Sequence, residues 1–358
     1  MLDKIELRVS GIKIENFLRY RVEGDLYTAD HAFSFDVANP EIQLTTGMPV
    51  ELRINGNKEL TGIIDRRNPR YEKVELGRQL TLEGRDLMGL LVDSYCEQFL
   101  TLKGTTLKTL AQTLFQNIDK RFRNIMTVVY QENVAGVLLT HQRKVSSVNG
   151  LALSDTPQAY SQIEPGMTIF EVLKEYAQSR GMMFFCDNDG TFTFGRPKAS
   201  GQPLFNLTTT LSGNGNNVIE GELDENISHR YSRVTVAGQQ QGTDSTTATA
   251  INTKAVVSDS TFPFYKPFVK QNNNDRYSPK LQARMLMEKM KADGFKLSYT
   301  VAGHSQNGHN WKINELVRIK DEALGVNGTY LIYGRTFMFD KDTGPTTEIR
   351  LGYPGIIA

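Results

Sequence analysis

The chain has 358 residues, 39% of them hydrophobic and 23% charged, with a formal net charge of +1. That length accommodates two or three domains, and that composition is of a globular rather than a disordered chain. A near-neutral balance without a long run of Lys or Arg argues against an electrostatic nucleic-acid binder, and no apolar run reaches the length of a bilayer.

The first residues, Met1-Leu-Asp-Lys-Ile-Glu, carry acids where a signal peptide needs bases, and no apolar core follows. Three strand candidates come next: Ile5 to Val9, Lys13 to Tyr20, and Ala32 to Val37, the last stopped by Asn39-Pro40. Three more fill 47–86. Val50, Leu52 and Ile54 alternate with Glu51 and Arg53, a turn falls at Asn55-Gly56-Asn57, and Leu60 to Arg66 runs back. Gln79 to Asp86 then sets Leu80 and Leu82 against Thr81 and Glu83. A period of two with one wet face predicts antiparallel sheet, and Asn-Gly between two such runs predicts a hairpin. Six short strands with polar turns suggest a small barrel or sandwich.

After Asp86 the period changes. Leu87 to Glu97 fits either a short helix or a strand exit. Leu107, Leu110, Ala111, Leu114, Phe115 and Ile118 fall at helical spacing behind Thr105 or Thr106 as N-cap. A strand is expected at 125–130, and 131–166 reads as a long surface connection. Thr168 and Glu171 form a capping box for a helix that buries Ile169, Val172, Leu173, Tyr176 and Ala177 and stops at Gly181. Met182 to Cys186 and Thr191 to Phe194 flank Asp187-Asn-Asp-Gly190 as a hairpin. Cys96 and Cys186 lie in different expected elements, which predicts two free thiols.

Beyond 205 the pattern is β again, best at Val218 to Glu222 and Tyr231 to Val236. From Gly238 to Asn274 the chain is rich in Gln, Thr, Ser and Asn, and reads as an excursion from the fold. Ser278-Pro279 opens a helix that Gly294 closes, and Phe295 to Val301 returns to the sheet. Glu315 to Lys320, Thr329 to Arg335 and Thr347 to Gly352 then repeat the pattern of 47–86, with Val50 matching Val317, Arg66 matching Arg335 and Leu82 matching Leu351. One β unit is used twice in one chain.

Catalytic patterns are sparse. The histidines His31, His141, His229, His304 and His309 form no His-Glu-x-x-His or Cys/His zinc spacing, and the His304–His309 turn reads as a solvated loop. Asp187-Asn-Asp-Gly190 starts like a calcium loop, but Phe192 and Lys198 stand where its Gly and its bidentate Glu belong. Gly213-Asn-Gly-Asn-Asn217 lacks the Lys-Ser/Thr of a phosphate cradle. No Gly-x-Ser-x-Gly elbow is present, and Glu222 and Asp224 read as acids on a wet strand rather than a glycosidase pair. The expectation is therefore no enzyme, no cofactor and no metal. Arg66, Arg85 and Arg335 end strands, either as solvated ends or as ion pairs and contacts across a subunit boundary. Phe262, Phe264, Tyr265 and Phe268 form an aromatic patch, either a binding surface or local packing under the insertion.

Several runs carry a family likeness: Ile5-Glu-Leu-Arg-Val, Phe33-Ser-Phe-Asp-Val, Val50-Glu-Leu-Arg-Ile, Thr61-Gly-Ile-Ile-Asp and Leu80-Thr-Leu-Glu-Gly-Arg-Asp-Leu-Met. Thr168-Ile-Phe-Glu-Val-Leu, the hairpin between Gly181 and Arg196, and Asn226 to Gln239 extend it. On these residues the chain resembles the baseplate hub proteins of contractile-tailed phages, among them the tail proteins of Mu and Mu-like prophages. The resemblance implies an α+β, mainly β chain: two similar small, tail-tube-like β-barrel domains, a mixed α/β middle domain and an α/β insertion. The expected boundaries are 1–95, 96–205, 206–238 with 296–358, and 239–295 for the insertion. It also implies a structural homotrimer, a ring of pseudo-six-fold symmetry joining the tail tube protein to the central spike protein and touching other baseplate proteins. DNA would pass through its lumen without specific binding. Its place would be the virion tail baseplate, assembled in the bacterial host cytoplasm. The lysozyme domain of some related hubs has no counterpart in the pattern. The alternatives are a cell-wall-acting or carbohydrate-binding tail protein, and the equivalent spike component of a contractile secretion system.

Overall fold

The computed structural model describes residues 3–14, 17–38, 43–71, 73, 77–131, 155, 158–239, 252–272 and 278–357. His141, most of the expected 131–166 connection, and residues 240–251 and 273–274 of the polar excursion lie outside them.

The N-terminal strands are β1 (Ile5–Val9), β2 (Ile12–Ile14), β3 (Phe17–Asp25), β4 (Ala32–Ala38), β5 (Pro49–Ile54), β6 (Asn57–Tyr71) and β7 (Arg78–Asp86). Their alternation is the expected one: Val50, Leu52 and Ile54 are buried while Glu51 and Arg53 stay half-exposed. Asn55 and Gly56, at φ 54° and 84°, make the β5–β6 turn, a left-handed pair that Asn-Gly adopts at low cost.

The middle of the chain holds α1 (Met88–Asp93), β8 (Leu100–Thr105), α2 (Leu107–Leu114), α3 (Lys120–Arg123), β9 (Thr127–Tyr130), β10 (Gln158–Ile163), α4 (Ile169–Ser179), β11 (Met183–Cys186) and β12 (Thr191–Gly195). The open alternative after Asp86 resolves as a helix, α1. Thr106 caps α2, and Thr168 and Glu171 make both bonds of the capping box on α4. The helices pack on a sheet ordered β11-β12-β9, around Leu110, Leu173, Phe192 and Phe194. Cys96 and Cys186 are free and buried, and burial pushes both thiols up.

The C-terminal part comprises β13 (Phe205–Thr209), β14 (Glu220–Glu225), β15 (Arg233–Gln239), β16 (Asn252–Ser258), β17 (Pro267–Asn272), α5 (Pro279–Asp293), β18 (Phe295–Ala302), β19 (Ser305–Gln306), β20 (His309–Asn310), β21 (Glu315–Asp321), β22 (Val326–Asp340) and β23 (Gly344–Gly352). Expected in the second β domain, β15 instead pairs with β16 and β17, and α5 packs on that small sheet through Ala283 and Met287 against Val234 and Val236.

One 13-stranded sheet carries both β units, in the order β14-β18-β23-β22-β3-β4-β7-β6-β5-β1-β2, with β21 on β22 and β13 on β21. The repeat is longer than the sequence suggests. The N-terminal run β3-β4-β7-β6-β5-β1 has the same order of neighbours as β14-β18-β23-β22-β21-β13. Every pairing matches in direction except the last, where β13 runs parallel to β21 and β1 antiparallel to β5. Both long strands have 15 residues and bulge against their partner, between Ile64 and Arg66 in one and between Ile332 and Gly334 in the other. Aligning the bulges keeps Val50 with Val317 but sets Arg335 against Arg67 rather than Arg66, and Ile349 rather than Leu351 against Leu82. Alternation alone cannot count a bulge, which inserts one residue on one strand only. Among the described residues no pairing closes either unit into a barrel.

Candidate functional site

The two units meet edge to edge. Beyond its bulge, β22 leaves β21 and pairs with β3, from Gly334 opposite Asp25 to Asp340 opposite Arg19. Phe337 and Val22 face the core, and Phe339 stacks on Tyr20 with ring centroids 5.5 Å apart. Arg350 reaches across from β23 to Asp25 at 3.1 Å. A side chain at Gly334 would stand 2.4 Å from the Arg350 guanidinium, so the bulge needs glycine to admit this clamp.

Behind the joint lies a buried polar knot. Arg335 on β22 bonds Glu59 on β6 at 2.5 Å and donates to the Trp311 carbonyl at 2.8 Å. Its guanidinium sits 3.9 Å from the centre of the Phe337 ring. Glu59 also accepts from Asn310 at 2.7 Å and Asn188 at 3.0 Å. One carboxylate therefore ties together both β units, the β20 segment and the turn of the β11–β12 hairpin. A buried ion pair is favourable only when the remaining polar sites are met; both Glu59 oxygens and two guanidinium nitrogens are, whereas the Arg335 Nε has no hydrogen-bond partner among the described residues. Beside it, His304 lies between the Tyr20 hydroxyl at 2.6 Å and the Thr347 hydroxyl at 3.0 Å. Burial pushes its pKa down to about 4, helped by the Arg335 charge and opposed by Asp3.

Arg335 is fully buried, so it offers no surface to a neighbouring chain, and its ion pair is internal. Arg85 is also engaged within the chain, by Asp65 at 2.7 Å, Asp30 at 3.0 Å and Asp93. Arg66 is exposed and pairs with Glu83 at 2.9 Å. The aromatic patch divides. Phe262 is buried under Arg230 and Phe268 packs on Tyr231, whereas Phe264 and Tyr265 are 53% and 71% exposed. Glu222 and Asp224 lie on β14, exposed along the outer edge of the sheet. The Asp187–Gly190 turn is the docking point on Glu59. Among the described residues no group of three or more His, Cys, Asp or Glu could hold a metal ion, and no helix is long and apolar enough to cross a membrane.

Sequence reasoning passed over Glu59, Asn310 and Asn188. Glu59 has the look of a wet-face acid in an alternating strand. Its face is covered because the middle region packs there, as Ile63 two pairs along shows by joining the middle core. The one available signal was Glu59 and Ile63 sharing a face.

This fold and three stretches of the sequence are similar to those of phage-tail proteins of the baseplate type. The family model for the Mu phage baseplate assembly protein GpP-like N-terminal domain matches residues 4–86. That for the third domain of NMB1110-like tail proteins matches 230–284, and that for a tail protein C-terminal domain matches 289–356. A tail protein from Neisseria meningitidis is similar at 25% identity and a TM-score of 0.77, over 98% of this chain and 96% of that one. The 43 kDa tail protein of prophage MuSo2 from Shewanella oneidensis shares the fold, with 21% identity and a TM-score of 0.76 over 98% of each chain. An Escherichia coli component of the type VI secretion system, described as similar to phage T4 tail proteins gp27 and gp5, also shares it, at 10% identity and a TM-score of 0.56 over 98% of this chain and 79% of that one. Comparison with curated protein sequences finds no match. The likeness to tail proteins thus holds in three stretches of sequence, the first of them Mu-type, and in fold over 98% of the chain.

Proposed function

We propose that the chain is a baseplate hub: three copies form a ring of pseudo-six-fold symmetry that joins the tail tube to the central spike. The observation that carries this is the joint. Two units with the same strand order sit side by side in one sheet, so one chain supplies two equivalent wall segments. Three chains then present six, and a six-fold tube and a three-fold spike can both find matching contacts. Each unit acts as a barrel-like segment of the wall. The middle helices and the β15–β17 sheet with α5 project from the ring toward spike and baseplate, with Phe264 and Tyr265 as exposed contacts. No enzymatic step is part of this role. The fold shared with the type VI component supports a second setting for the same ring, a contractile secretion system.

Light scattering tests this reading. A mass three times the 40.3 kDa of one chain, with ring-shaped particles by electron microscopy, is the expected result. A monomer at every concentration, unchanged by adding spike protein, refutes it.

A further inference from the structure

The internal joint uses the far half of one long strand and the first strand of the other unit. Its duplicate partners exist but are unpaired with each other in the chain. Residues 66–71 of β6 extend past β5, so among the described residues only β7 borders them, and β14 is bordered only by β18. Both stretches are largely exposed. One reads Arg66-Arg-Asn-Pro-Arg-Tyr71 and the other Glu220-Gly-Glu-Leu-Asp-Glu225. One edge is basic and the other acidic.

We infer that these edges pair between copies, β6 of one chain antiparallel to β14 of the next, in the register that the internal joint dictates. The inference rests on the hub reading and names the contact that would close its ring. The register follows from two alignments. The bulges set Ile64 on Ile332, hence Arg67 on Arg335 and Tyr71 on Phe339. The ladders through β4 and β7, and through β18 and β23, set Tyr20 on Gly221 and Gly24 on Glu225. Arg335 faces Gly24 and Met338 faces Arg21 in the internal joint. Arg67 therefore faces Glu225 of the second copy and Arg70 faces its Glu222, one ion pair on each side of the sheet. Pro69 falls opposite Leu223, and Tyr71 opposite Gly221, over which the Tyr299 ring packs. Among the described residues none of Arg67, Arg70, Glu222 and Glu225 has an ion-pair partner.

Arginines and a proline on a free edge also discourage promiscuous pairing. What distinguishes this edge is its match: two arginines meet two glutamates in a register fixed by other residues. Opposite charges directly across an antiparallel pair stabilise it, and like charges there oppose it. A head-to-tail contact of this kind closes into a ring or runs on as a fibre according to its rotation, and the internal joint supplies the same rotation at every alternate step.

Charge reversal tests the pairing in the full-length chain. Arg67→Glu with Arg70→Glu, and separately Glu222→Arg with Glu225→Arg, are each expected to shift the trimer to monomer and raise its dissociation constant at least about tenfold. All four changes in one chain are expected to restore the trimer. The exposed positions leave the fold intact, which the unfolding temperature of each monomer checks. A trimer that survives both reversals overturns the pairing but leaves the hub reading standing, as does a loss that the fourfold variant fails to rescue. A wild-type chain that never trimerises overturns both.

Discussion

His304 and His31 are both buried, yet their surroundings favour opposite charge states. His304 is held neutral, its pKa near 4 against 6.5 for a free imidazole. The unfolded chain binds this proton and the folded chain does not, so the contribution is complete above pH 6.5 and is lost as pH falls from 6.5 toward 4, about 3 kcal/mol in all. For His31, burial disfavours the charge, but Asp86 at 2.9 Å and the Asp25 carbonyl at 2.7 Å outweigh it and raise the pKa. Its contribution is complete below 6.5 and fades as pH rises through the folded value. His304→Asn should flatten the acid limb of a plot of stability against pH and leave the alkaline limb alone, as urea titrations at several pH values will show. The Glu59–Arg335 pair makes a second prediction. Glu59→Ala should cost about 3–5 kcal/mol, because it strands a buried guanidinium. Combining it with Arg335→Met should cost at least about 1 kcal/mol less than the two single changes summed, measured by a double-mutant cycle.

At the scale of elements, local signals and partner choice part company. The capping box at Thr168, the Ser278-Pro279 start and the Asn55-Gly56 turn were legible because each is settled within a few residues of chain. The partner of β15 was not, since Val234 and Val236 alternate as well for one sheet as for another, and only α5 covering them decides. The duplication was legible at 47–86 and 315–352, where three strands are consecutive in both copies. It was hidden further out, because β14 and β18 are neighbours in the sheet but stand on either side of the β15–α5 insertion. The close approach of strands gives the prediction at this scale. A methyl group at Gly84 would lie 2.0 Å from the Ile63 carbonyl oxygen and 2.5 Å from the Phe33 ring, neither free to move. Gly84→Ala should lower stability by about 2–3 kcal/mol in thermal unfolding.

For the whole molecule, the prediction concerns concentration. If three copies close a ring, folding and assembly are linked by mass action. The unfolding temperature of the wild type should then rise with chain concentration, whereas that of the Arg67→Glu, Arg70→Glu variant should not. Scanning calorimetry over a hundredfold dilution, roughly the range that shifts a linked equilibrium by a few kcal/mol, separates the two. The acidic and basic edges stood in the sequence from the outset, but their significance depends on a register. That register exists only once β22 is seen against β3, more than 300 residues away in chain numbering.

The β22–β3 seam has a kinetic corollary for the proposed ring. Half of the six seams are closed inside single polypeptides before any two molecules collide, at an effective concentration set by the connecting chain. Only the remaining three depend on diffusion, so a ring of duplicated chains should complete faster, and leave fewer half-built arcs, than one assembled from six separate units.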